Sequence, residues 1–85
     1  MNNNGKKILV VEDEAHLAKG LQFNLEREGY NVTLAENGQV AMDLLGEEDF
    51  DLMILDIMLP KLSGLEVARK IRNTDMRFPI LMLSA

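Results

Sequence analysis

The chain has 85 residues, which admits one small domain burying about 60–65% of the surface that its unfolded form exposes. It has no cysteine, which excludes a disulfide scaffold, a thiolate zinc site and a cysteine nucleophile. Nine basic residues against fourteen acidic ones give a net charge of −5, so the chain carries no basic footprint for direct contact with nucleic acid. With 47% hydrophobic and 27% charged residues it has the profile of an ordinary globular domain, not of a disordered one. No apolar run approaches the roughly 18–20 residues of a membrane span, and no signal segment opens the chain. A cytoplasmic domain without membrane contact is the default expectation.

Residues 1–5 are polar and read as a flexible N-terminus, so the folded unit is expected over 6–85. Lys7-Ile8-Leu9-Val10-Val11 is a short β-branched run without polar alternation, the pattern of a strand covered on both faces. It stops at Glu12-Asp13-Glu14. From Ala15 to Glu28 the period changes: Leu17, Leu21 and Leu25, with Ala18 beside them, make a helical apolar stripe. Gly29 stands where a left-handed cap would end that helix. Tyr30 to Ala35 alternates, as an edge strand does. Asn37-Gly38 could form a hairpin turn, but Val40, Ala41, Leu44 and Leu45 resume helical spacing at once. The second helix therefore starts there and is expected to end at Gly46 and the acids after it. Leu52-Met53-Ile54-Leu55 is a third strand, closed by Asp56. Pro60 and Gly64 break the next loop. Leu65, Val67, Ala68 and Ile71 predict a third helix with Arg69, Lys70 and Arg72 outside, and 79–84 a fourth strand.

The order βαβαβαβ requires right-handed crossovers and an α/β fold, a parallel sheet with helices on both faces. In such sheets the functional crevice lies beyond the carboxyl ends of the strands, where strand order reverses. Strand one ends in Glu12-Asp13 and strand three in Asp56, so these carboxylates converge if the two strands are neighbours, as in a 2-1-3-4 order. Like charges in one pocket repel unless a cation sits among them, and an all-oxygen site of carboxylates, a backbone carbonyl and waters suits Mg²⁺. Strand four brings Ser84 to the same edge. A carboxylate beside Mg²⁺ with a hydroxyl nearby suits a phosphoryl acceptor.

Four segments in register carry a family resemblance: Val10-Val11-Glu12-Asp13-Glu14, then Tyr30-Asn31-Val32 with Ala35-Glu36-Asn37-Gly38. The third is Asp51-Leu52-Met53-Ile54-Leu55-Asp56-Ile57-Met58-Leu59-Pro60 with Ser63-Gly64-Leu65-Glu66, and the fourth Pro79-Ile80-Leu81-Met82-Leu83-Ser84-Ala85. From Lys7 onward the chain resembles the receiver domain of two-component response regulators. Met58-Leu59-Pro60 also resembles the subfamily whose receivers precede a winged-helix DNA-binding domain. The resemblance implies a flavodoxin-like doubly wound sheet of order 2-1-3-4. It implies Asp56 as phosphoacceptor for a sensor histidine kinase, with transcription as the switched output. Glu12 and Asp13 match the acidic pair that holds Mg²⁺, and Met58 the position whose backbone carbonyl completes the metal shell. Ser84 matches the switch hydroxyl, Ala85 the small residue beside it, and Pro60 and Gly64 the shaped loop after the acceptor.

A receiver of that family normally continues through a fourth helix, a fifth strand bearing a phosphate-contacting lysine, and a fifth helix. The chain accordingly reads as the N-terminal two-thirds of a receiver. Strand four is then expected to present an open hydrophobic edge, which favours dimerisation or exchange of an element with a second copy. A fragment that only oligomerises, without phosphotransfer, is the alternative function.

Plain structural readings stand beside these. Acids before a helix commonly cap it, with Asp13 able to cap and bind metal together. A strand-end serine commonly satisfies local backbone groups, and His16, the only histidine, falls at a surface position of helix one. Phe23 lies off the leucine stripe, either exposed or beneath a further helix. An enzyme passing through an aspartyl phosphate would need a general acid two residues after Asp56, where Met58 cannot transfer a proton. A dinucleotide site would need a glycine-rich loop where Glu12-Asp13-Glu14 stands. The reading is a signalling domain and not an enzyme.

Overall fold

The computed structural model of the chain describes residues 5–57, 63–73 and 79–83. Its elements are β1 (Lys7–Val11), α1 (Ala15–Arg27), β2 (Asn31–Ala35), α2 (Gly38–Glu47), β3 (Leu52–Asp56), α3 (Gly64–Arg72) and β4 (Ile80–Leu83). The strands form one sheet in the order β2-β1-β3-β4, every pair parallel. The expected flexible segment 1–5 lies, apart from Gly5, outside the described residues.

Burial explains why the central strands lack alternation. Ile8, Leu9, Val10 and Val11 are at most 1% exposed, because β1 has a strand on either side and helices on both faces. Odd and even positions serve different cores. Leu9, Val11, Met53 and Leu55 pack with Ala41 and Leu45 of α2 and with Val67 and Ile71 of α3. Ile8, Val10 and Ile54 face the other way, against Leu21 and Leu25 of α1. The two-residue period of a strand thus supplies two cores from one run, and the sheet is doubly wound.

The helix ends follow local chemistry. Gly29, at φ 97°, terminates α1: its N–H donates to Glu26 O (3.0 Å) while the Tyr30 N–H donates to Leu25 O (3.2 Å). This paired arrangement satisfies carbonyls that the last turn leaves open. At α2, the Asn37 side chain accepts the Val40 N–H at 2.9 Å, so Asn37-Gly38 starts a helix and turns no hairpin. Ser63 caps α3 by accepting the Glu66 N–H at 3.2 Å.

The second helix ends in the expected stretch, at Glu47, with the Glu48 N–H donating to Leu44 O at 3.0 Å. One expectation is corrected. Leu17 begins the leucine stripe yet is 50% exposed, because α1 closes on the sheet through Ala18, Leu21 and Leu25 farther along. Phe23 is 62% exposed, with the Arg27 guanidinium 5.7 Å from its ring, and His16 is exposed as expected. At one edge of the described sheet, Leu81 of β4 is 53% exposed.

At the amino ends of the strands, Lys7 holds a second set of contacts. Its Nζ pairs with Glu48 and lies 5.3 Å from the centroid of the Phe50 ring, and its backbone N–H donates to Asp51 Oδ2 at 2.8 Å. These tie the α2–β3 connection to β1 at the end of the sheet opposite to the acids.

Glycines in open helical space lower stability without a packing reason. Gly46→Ala is expected to raise unfolding free energy by about 0.5–1 kcal/mol, whereas Leu55→Ala, at a fully buried position, should lower it by about 2–5 kcal/mol. Urea denaturation with unchanged m values checks both.

Candidate functional site

The site begins with strand pairing. Val11 stands opposite Leu55 in the β1–β3 register, so the next step along both strands places Glu12 beside Asp56. The Glu12 N–H donates to Ala35 O at 3.0 Å, extending the ladder to β2 one residue past the strand. On the other side the Ile57 N–H donates to Leu83 O at 2.9 Å, and Asp56 itself pairs in register with Leu83. Both carboxylates are therefore borne on backbone that is hydrogen-bonded to a neighbouring strand.

Three consecutive acids then divide the local tasks. Glu14 is the N-cap of α1: its carboxylate accepts the His16 and Leu17 N–H groups, each at 3.1 Å. Glu12 is 6% exposed and accepts the Glu14 N–H at 3.1 Å through Oε2. Asp13, which sequence reasoning considered for the cap, does not serve it. It is exposed and stands with Glu12 and Asp56 in one cluster, one carboxylate oxygen from each lying within 4.8 Å of the others. Asp56 is half-buried.

The electrostatics of the cluster are strained in a specific direction. Burial pushes the Glu12 carboxyl above the ordinary carboxylate range. The Glu14 N–H opposes that shift by favouring the ionised form, and the charge of Asp56 and contacts with the Asp56 and Asp13 carboxyls reinforce it. Three carboxylate oxygens so close together make an oxygen-only donor set, which fits a hard divalent cation such as Mg²⁺ and not a thiophilic one. Toward β2 the acids border a cleft of about 300 Å³ lined by Glu12, Asp13, Ala18, Lys19, Leu34 and Val40.

Of the residues singled out in the sequence, Glu12, Asp13 and Asp56 are brought together here. Met58, Pro60, Ser84 and Ala85 lie outside the described residues. Of the three acids expected to cap the helix, Glu14 is the one that does so. Gly64 abuts the backbone of Asp56, which only the contact between α3 and β3 reveals.

The family model described as the response regulator receiver domain matches residues 8–85. The chain belongs to the response regulator receiver family. It is 50% identical over 78 residues to the uncharacterized transcriptional regulatory protein YkoG of Bacillus subtilis, covering 92% of this chain and 34% of that protein. It is 51% identical over 80 residues to the alkaline phosphatase synthesis transcriptional regulatory protein PhoP of the same organism, covering 94% of this chain and 33% of that protein. The chain thus spans about a third of the length of these curated relatives, which are transcriptional regulators.

Among solved structures, the Thermotoga maritima response regulator protein TrrA in complex with Mg²⁺ and BeF superposes with a TM-score of 0.89 at 44% identity. The match covers 94% of this chain and 70% of that one. The receiver domain of the Francisella response regulator 1452 gives a TM-score of 0.91 at 28% identity, over 95% of this chain and 67% of that one. The fold is the flavodoxin-like sheet of order 2-1-3-4 that receivers share. Among the described residues no helix is long and apolar enough to cross a membrane.

A carboxyl whose folded value is raised binds its proton more tightly when folded. Its contribution to stability is complete below the ordinary value of 4.5 and is lost as pH rises through the raised value. The metal-free receiver should therefore lose stability as pH climbs above about 4.5, over the span set by Glu12. In Glu12→Gln that component of the slope should vanish. Melting temperatures of both proteins in a chelator-containing pH series check it.

Proposed function

We propose that Asp56 accepts a phosphoryl group from a phosphohistidine on a sensor kinase, and that the phosphorylated domain switches a transcriptional output. The observation that carries this reading is the convergence of Glu12, Asp13 and Asp56 at the carboxyl ends of two adjacent central strands. The names of the YkoG and PhoP relatives support transcription as the output, and the phosphate-mimicking BeF in the TrrA complex supports the chemistry.

In this reading an Asp56 carboxylate oxygen attacks phosphorus, the O–P bond forms as the N–P bond to the histidine breaks, and the imidazole nitrogen recovers a proton from solvent. Asp13 and Asp56 would hold Mg²⁺ with waters, Glu12 acting directly or through a water, and with the Met58 backbone carbonyl as the resemblance implies; the ion would supply positive charge against the crowding of phosphoryl oxygens on an anionic pocket. Asp56 is the nucleophile because its backbone is held in register with Leu83 of β4 while the residue remains half-buried. Glu14, by serving the helix cap, leaves Asp13 to the cluster. As the resemblance implies, the Ser84 hydroxyl would donate to the phosphoryl group and couple its arrival to the rest of the domain. The domain acts in signalling and not in turnover of a substrate, in the cytoplasm with the kinase.

A second copy is the other proposed partner, supported by the edge position of β4 and the exposure of Leu81.

Incubation of a complete receiver, including the fifth strand, with acetyl phosphate and Mg²⁺ should give one phosphoryl adduct by intact mass spectrometry. Asp56→Asn should abolish it. Asp13→Asn should raise the Mg²⁺ concentration needed by roughly 10–100-fold, the range seen when a metal site loses a supporting group. An unaltered yield in Asp56→Asn would overturn the assignment.

A further inference from the structure

Gly64 is the first residue of α3, and its backbone does not call for glycine: among the described residues positive φ occurs only at Gly5 and Gly29. Its surroundings do. A Cβ built at Gly64 would lie 2.3 Å from the Asp56 carbonyl oxygen, 2.9 Å from the Asp56 carbonyl carbon and 2.8 Å from Ile57 Cα. Real Cβ contacts essentially never fall below 3.0 Å, and the opposing atoms are backbone, which cannot swing aside as a side chain would. The Gly64 N–H donates to Ile57 O at 3.0 Å, so the start of α3 is also hydrogen-bonded to the end of β3.

Neither partner can retreat at little cost. Behind Gly64, α3 is seated by Val67 and Ile71, both fully buried in the core between α2, α3 and the sheet. On the far side the Ile57 N–H is tied to Leu83 O of β4. The peptide that follows Asp56 is thus gripped between β4 and the first residue of α3. No larger residue allows that grip without driving the acceptor's own carbonyl away.

We propose that Gly64 is a positioning residue of the phosphoacceptor site: its missing side chain lets α3 clamp the Asp56–Ile57 peptide, which holds the Asp56 carboxylate at its place beside Glu12 and Asp13. The inference rests on the reading of Asp56 as acceptor. It differs from a plain packing role because the atoms against the glycine belong to the acceptor itself. An added methyl group must move about 1 Å from the carbonyl to reach ordinary contact, and misplacement of that size can cost about 10²-fold in rate.

The test compares Gly64→Ala with Val67→Ala, which weakens the seat of α3 without adding an atom next to Asp56. Both are studied in the full chain at a temperature where each is folded by circular dichroism. In Gly64→Ala, the metal-free amide resonances of Asp56, Ile57 and Glu12 should shift, Mg²⁺ affinity should fall tenfold or more, and phosphorylation by acetyl phosphate should slow by about 10²-fold. In Val67→Ala, Mg²⁺ affinity should stay within about twofold of wild type. Wild-type affinity and rate in Gly64→Ala would overturn the proposal, as would an equal loss in Val67→Ala. If Gly64→Ala does not fold, hydrogen exchange on the wild type decides. The Gly64 and Ile57 amides should gain protection together, by tenfold or more, on Mg²⁺ binding, and an unchanged Gly64 rate would overturn the clamp. A wild-type chain that takes no phosphoryl group defeats the acceptor reading separately, while the amide shifts and Mg²⁺ affinities still judge Gly64.

Discussion

The parallel pairing of β1 with β3 is the constraint from which the rest of this molecule follows. Parallel neighbours must be joined by crossovers, so helices fall on both faces and the strands between them lose contact with water. Parallel strands also finish at the same edge. Since β1 is followed by Glu12 and β3 closes with Asp56, an arrangement that buries Leu9, Val10, Ile54 and Leu55 simultaneously sets two carboxylates side by side. The apolar burial that folds the sheet is thus what overcomes the repulsion at its rim. Acids confined to an exposed loop would separate; here separation would require unpairing the two central strands.

That repulsion gives the site its chemistry. A buried carboxyl next to two others has a reason to hold a proton or a cation, and the N–H of Glu14 is arranged to oppose the proton. The two outcomes compete for the same oxygens. A hard cation would remove the conflict. A pocket of this kind is poised, in that its net charge is set by what occupies it and not by its side chains alone.

Much of this was legible in the chain. The unbroken apolar runs of β1 and β3 announced strands covered on both faces, and the change from run to four-residue period at Ala15 announced α1. The acid at the end of each central strand was visible as a pattern, and the order of strands was fixed by the resemblance where periodicity left it open. What escaped was what depends on contacts between distant segments. Leu17 has the spacing of a core residue, but whether a helix lies close to its sheet at a given turn is set by the crossing geometry. Asp13 looks like a cap, since aspartate is the commoner residue there; the cap fell to Glu14 because α1 begins one residue later than an Asp13 cap would require.

That last displacement has a consequence for how the acid cluster and the first helix depend on one another. The first-turn amides of α1 draw their hydrogen bonds from a carboxylate outside the cluster, so the helix stays nucleated whether the pocket is charged, protonated or filled. Whatever occupies the pocket is thereby kept apart from the melting of the first helix, and a change there can stay at the rim of the sheet.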